Sequence, residues 1–185
     1  MVKIPENIHT GKGTLEYEVP WLVPEAIFLL DKLLTKDMRV LEFGSGGSTL
    51  FFSKRTRSVT SFEDDLKWYT KVLGILNKKK ITNVGLIFYT KKWLEDNFPT
   101  DGFNCVLIDN KISRNGVRRK WLLEKSVPLL TEPKIFILDN YGTFSSDKLT
   151  DEAFIEKYSL EGCREETYNH PKWKGCGTRV FYNAS

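Results

Sequence analysis

The chain has 185 residues, enough for one domain with its own core. Apolar residues make up 41% and charged residues 28%, an ordinary soluble balance, and no window reaches the ~18 uninterrupted apolar residues of a membrane span. The net charge of +4 comes from dispersed basic residues, with Lys78, Lys79 and Lys80 the longest run, so neither nucleic acid nor a membrane is the expected partner.

Met1 to Pro20 carries charged and polar residues throughout and lacks the apolar core of a secretory signal. Cys105, Cys163 and Cys176 are odd in number and have no metal-ligand spacing. The expectation is a cytoplasmic protein with reduced thiols, a single domain over 1–185, monomeric or homodimeric. Residues 1–22 give no strong secondary-structure signal and are read as a lid over the site, with Trp21 packed above it. Pro24 then opens a helix through Ala26, Ile27, Leu30 and Leu34.

Short apolar runs alternate with amphipathic stretches from there on. Strands are expected at Val40–Phe43, Val59–Phe62, Val84–Tyr89, Phe103–Ile108 and Ile135–Leu138, near-continuous runs that suit burial on both faces. Helices are expected at Thr49–Arg55, Asp65–Lys80, Lys91–Asn97 and Gly116–Leu130. The Asp65–Lys80 helix begins with acids and ends with lysines, as the helix dipole favours. A further helix is read over Asp147–Tyr158. Two last strands, Cys163–Asn169 and Thr178–Asn183, form a hairpin. The fold class is α/β, Rossmann-like and doubly wound: a mostly parallel seven-stranded sheet, helices on both faces and an antiparallel C-terminal hairpin.

The sharpest motif is Val40-Leu-Glu-Phe-Gly-Ser-Gly-Gly-Ser-Thr49, where a strand ends, glycines turn the chain and a helix begins. Such a turn lets backbone approach a ligand in the crevice beyond the strand ends. Glu63 follows at the end of the second strand, where a carboxylate can accept both hydroxyls of a ribose. The loop misses the dinucleotide fingerprint, because its third glycine position is Thr49, and no phosphate-binding Gly-Lys-Ser/Thr is present.

Glu42-x-Gly44-x-Gly46 followed by Glu63 resembles motifs I and II of the class I S-adenosylmethionine-dependent methyltransferases, over roughly Val23 to Asn140. The resemblance implies that Gly44, Ser45 and Gly46 pass close to the methionine part of S-adenosylmethionine, that Glu42 helps hold its ammonium group, directly or through water, and that Glu63 takes the ribose hydroxyls. It also implies that Asp64 and the segment Tyr89–Trp93 border the adenine.

Strand four ends at Asp109-Asn110 and strand five at Asp139-Asn140, and both ends open on the same crevice. This looks like the catechol and caffeoyl-CoA O-methyltransferases, whose metal ligands would correspond to Asp109, Asp139 and Asn140. Mg²⁺ is the implied ion, with Asp109, Asp139 and Lys111 as the catalytic set. Lys111 is one of the departures, since those enzymes carry a lysine three residues after the strand-four acid and Ile112 occupies that place. The other reading is that Asp139 and Asn140 cap a turn or line a metal-free pocket. A second resemblance is to methyltransferases with an Asp-Gly-x-x-Arg signature, through Asp109 and Arg114.

His9, His170, Tyr141, Trp68 and Tyr69 are weaker candidates, each more readily a packing or surface residue, and Arg118 and Arg119 read as helix-surface charges. The leading expectation is a methyltransferase acting on a small-molecule acceptor, at oxygen. The alternatives are an RNA or protein methyltransferase, a non-catalytic S-adenosylmethionine-binding protein and a nucleotide-dependent oxidoreductase.

Overall fold

Alternation along each strand sends side chains to opposite faces of one sheet and builds two cores. The computed structural model describes residues 2–4, 13–110, 119–140, 160, 162–170 and 177–183. Lys111, Arg114, Arg118, Tyr141, His9, Cys176, the expected helix over Asp147–Tyr158 and most of the hairpin loop lie outside them. The strands are β1 (Arg39–Phe43), β2 (Ser58–Glu63), β3 (Val84–Phe88), β4 (Phe103–Ile108), β5 (Leu130–Asp139), β6 (Arg164–Asn169) and β7 (Gly177–Tyr182). Leu41, Phe43, Val106, Ile108, Phe136 and Leu138 point to one face, Val40, Cys105, Leu107, Ile135 and Ile137 to the other.

The helices close both faces. In chain order they are α1 (Thr14–Tyr17), α2 (Pro24–Leu33), α3 (Gly47–Ser53), α4 (Leu66–Lys78), α5 (Lys91–Asp96) and α6 (Arg119–Ser126). Ala26, Ile27 and Leu30 of α2 pack with Phe51 and Phe52 of α3 on one side, and Leu122 and Leu123 of α6 cover the other. The Asp65 side chain caps α4, accepting from the backbone N–H groups of Lys67 and Trp68 at 3.0 Å each. No helix among the described residues is long and apolar enough to cross a membrane.

The sheet runs in the order β3-β2-β1-β4-β5-β7-β6. Pairing is parallel from β3 to β5, and β7 runs antiparallel to both β5 and β6. The order reverses between β1 and β4, so the chain leaves these neighbours in opposite directions and a crevice opens at their carboxyl ends. β5 begins five residues earlier than the apolar run suggests. Its first half, Thr131 to Lys134, is polar and meets β4 across a register break between Phe103 and Cys105. β6 is an edge strand carrying Arg164, Glu165 and Glu166, charges that discourage further strand pairing.

Candidate functional site

Register decides which residues meet. Phe43 pairs with Phe62 and with Ile108, and Ile108 with Leu138. The residues one step on are Gly44, Glu63, Asp109 and Asp139, so four separate motifs fall in one row along the crevice. Asp139 in turn pairs with Thr178 of β7. The row borders a cavity of about 470 Å³.

On the β1 side the turn is tight. Gly44 has φ +96°, and a Cβ there would lie 2.8 Å from the Asp109 carbonyl oxygen, so a side chain would force the β1 and β4 turns apart. Ser45 donates to Glu63 Oε2 twice, from its backbone N–H at 2.9 Å and its hydroxyl at 2.8 Å. Glu63 Oε1 accepts from the backbone N–H groups of Asp64 (3.0 Å) and Asp65 (2.9 Å). The carboxylate thus ties the glycine turn to the start of α4, and burial pushes its pKa up. Trp68 completes this wall, its indole N–H donating to the Ser45 carbonyl at 2.6 Å.

Glu42 is fully buried and does not line the cavity. Its Oε2 accepts from the hydroxyls of Thr49 (2.6 Å) and Ser61 (2.5 Å), and Thr49 Oγ1 accepts from the Gly46 N–H at 2.9 Å. Glu42 therefore braces the turn from behind the cavity wall. Burial pushes it up to about 7. The segment Tyr89–Trp93 is also absent from the cavity wall. Tyr89 is buried, and Thr90 N-caps α5 through the Trp93 N–H at 3.3 Å.

On the β4–β5 side two acids meet a cation. Arg119, at the start of α6, is only 7% exposed, so it is not the surface charge its helix position suggests. Its Nε donates to the Asn110 carbonyl at 2.8 Å and Nη1 to the Asp139 carbonyl at 2.5 Å, while Nη2 lies 3.9 Å from Asp109 Oδ1. Burial raises the pKa of both Asp109 and Asp139, and their mutual repulsion raises Asp109 further. Asp139 Oδ1 accepts from the Thr178 hydroxyl at 2.7 Å, and Oδ2 from the Asn140 amide.

The metal implied by the O-methyltransferase resemblance would draw on these same side chains. Each Asp139 oxygen already accepts from a protein donor, the Asn140 Nδ2 faces its neighbour and a guanidinium stands in the row. The residues present do not fit a resident divalent cation. Among the described residues no group of three His, Cys, Asp or Glu side chains is arranged to hold one.

Further wall residues have only a minor place in the sequence reading. Asn110 is 2% exposed, lines the cavity and has no partner for either amide atom among the described residues. His170 follows β6 and also lines the cavity. Two antiparallel reversals bring β6 back to the direction of β5, so the hairpin pattern alone could have put His170 at the crevice. Thr14, Trp21, Leu22 and Val23 line the cavity from the N-terminal side, where a lid was expected.

No family model and no curated protein sequence matches the chain. Solved structures do. A protein from Staphylococcus aureus assigned as a caffeoyl-CoA O-methyltransferase is similar at 18% identity, over 97% of this chain and 93% of that one, with a TM-score of 0.62. The O-methyltransferase TomG from Streptomyces achromogenes, solved with S-adenosylmethionine, is similar at 14% identity, 98% and 92% coverage and a TM-score of 0.61. An rRNA methylase from Streptococcus thermophilus is similar at 14% identity, 85% and 93% coverage and a TM-score of 0.60. The chain has the fold of the class I, Rossmann-like methyltransferases.

Proposed function

We propose that the chain is an S-adenosylmethionine-dependent methyltransferase acting on a small-molecule acceptor, at oxygen. The observation that carries this reading is the clasp between the Gly44–Gly46 turn and Glu63 at the switch point of the sheet, on the wall of a ligand-sized cavity. Thr49 weighs against a dinucleotide, since it fills the place of the third fingerprint glycine and is engaged with Glu42. The neighbours of the same fold, one of them solved with S-adenosylmethionine, support it too.

In this reading the residues divide between cofactor and acceptor. Gly44, Ser45 and Gly46 present backbone to the amino-acid end of the cofactor. Glu63 takes the ribose, with Asp64, Asp65 and Trp68 walling the nucleoside. Asp109, Asp139 and Arg119 face the acceptor, with Lys111, the next residue after Asn110, read from the sequence as a proton acceptor. S-adenosylmethionine supplies an electrophilic methyl carbon, which the acceptor oxygen attacks while the carbon–sulfur pair leaves with sulfur. The chain's part is alignment, together with removal of the acceptor's proton by a carboxylate or Lys111. The wall from Thr14 to Val23 and the dispersed basic charge favour a small acceptor over RNA.

A melting experiment with S-adenosylmethionine, S-adenosylhomocysteine, NAD and NADP tests the reading. At ~100 times its dissociation constant a ligand of the native state adds about 2.7 kcal/mol. For a chain of this length that raises Tm by roughly 5–10 °C. The two sulfur nucleosides should do so, and the nicotinamide nucleotides should not. A response to NAD alone, or to none of the four, would overturn the assignment. Methyl transfer to RNA and not to a panel of phenols would overturn the choice of acceptor.

A further inference from the structure

We infer that Arg119 is the resident cation of the acid row, holding the place that a divalent metal takes in metal-dependent O-methyltransferases, so that this site works without one. The inference draws its meaning from the proposed methyl-transfer reading, but its test needs no nucleoside and stands or falls separately.

Position is the first ground. The guanidinium bridges the two turns that bear the acids, bonding the carbonyl of Asn110 after β4 and the carbonyl of Asp139 at the end of β5. The same group lies 3.9 Å from the Asp109 carboxylate and lines the cavity. Pinning two strand ends and neutralising their acids are the two structural services a bound metal performs, and one fixed side chain performs both. Chemistry is the second ground. A guanidinium stays protonated throughout the working pH range and has no lone pair to offer a metal. A dication seated on Asp109 would sit within a few ångströms of a full positive charge.

The third ground is what is left for a metal. Asp139 accepts from Thr178 and from the Asn140 amide, and Thr178 is itself fully buried, so neither donor is a casual contact. Asn140 stands at φ +53°, a conformation Asn tolerates, and its amide is directed at its own neighbour. A cation there would share Asp139 with both donors and stand against the Arg119 charge at once.

The probe is Mn²⁺, titrated into the full chain without cofactor and followed by the electron paramagnetic resonance signal of the free ion. Wild type and Arg119→Lys should leave the ion free up to about 1 mM, weaker than ordinary carboxylate sites for divalent ions. Arg119→Gln removes the charge and should bind at least ~10-fold more tightly, a gain that loss of packing alone would not produce. Adding Asp109→Asn to that variant should abolish the gain. Submillimolar binding by wild type that Asp109→Asn or Asp139→Asn removes would overturn the inference. So would a folded Arg119→Gln protein with no gain. If Arg119→Gln does not fold, the wild-type and Asp109→Asn titrations still decide it.

Discussion

Glu63 shows how a ligand could enter a site whose polar groups are already satisfied. A carboxylate has about four lone-pair positions, and Ser45 N–H, Ser45 hydroxyl, Asp64 N–H and Asp65 N–H fill them. Three of these donors are backbone and fixed by the turns. The Ser45 hydroxyl alone can rotate away, so in the proposed complex it holds the seat that a ribose hydroxyl takes. Ser45→Ala should then lower the stability of the empty protein by about 1 kcal/mol. Its affinity for S-adenosylhomocysteine should stay the same or tighten. Glu63→Gln turns an NH₂ toward backbone donors and should weaken the nucleoside by roughly 2 kcal/mol, near 30-fold. Titration calorimetry on both variants separates the outcomes. If Ser45→Ala loses as much affinity as Glu63→Gln, the hydroxyl is itself a ligand contact and the place-holder idea is wrong.

Among the elements, α1 and α3 make the least expected joint. A Cβ on Gly47 would lie 2.1 Å from the Val19 carbonyl and 2.4 Å from that of Thr14, both backbone atoms with no freedom to move aside. Glu18, at the C-cap of α1, ties the segment down through ion pairs to Lys54 and Lys79. Leu15 packs with Leu50, Val72 and Leu76. Gly47→Ala should therefore lift the Thr14–Val19 segment and destabilise the protein by about 2–4 kcal/mol. Gly74, in α4, is the control, because a Cβ added there would meet nothing within 4 Å. Gly74→Ala should stabilise by about 0.5–1 kcal/mol. Urea unfolding of the two variants checks both signs, and equal effects would mean that the contact at Gly47 yields cheaply. Gly47 is also a measure of what the sequence discloses. The third glycine of the loop lines the cavity, and it also lies against the end of a four-residue helix too short to leave a periodic signal. Strands of continuous Val, Leu, Ile and Phe were legible, and with them the row of Gly44, Glu63, Asp109 and Asp139. The polar first half of β5 was not, because its pairing comes from neighbours and not from its own pattern. Arg119 was misread for a related reason: a helical position says nothing of carbonyls presented by two distant turns.

At the scale of the molecule, four raised carboxyls stand at or just behind the crevice. Glu42, Glu63, Asp109 and Asp139 are all pushed up by burial. Glu18, Asp31 and Glu166, which are lowered, sit elsewhere. Glu18 and Asp31 are lowered despite burial, by Lys54 and Lys79 and by Arg55 respectively, while hydrogen bonds from Tyr168 and Tyr182 lower Glu166. The two groups pull stability in opposite directions. An acid raised in the native state binds more protons there than in the unfolded chain between its two pKa values, so its contribution falls as pH climbs through that window. For Glu42 the window runs from 4.5 to about 7. The lowered acids contribute stability above their unfolded values and lose it as pH falls below them. The empty protein should thus be most stable near pH ~4–5 and weaken as pH rises toward ~7. Glu42→Gln keeps the shape, removes one titration and should flatten that decline, read as Tm against pH for both proteins. A Tm that climbs from pH 5.5 to 8, or an unchanged slope in the variant, would contradict it. The sign has a functional meaning. Three of the four, Glu63, Asp109 and Asp139, line the cavity, where carboxyls perturbed by burial and by each other are suited to a part in chemistry.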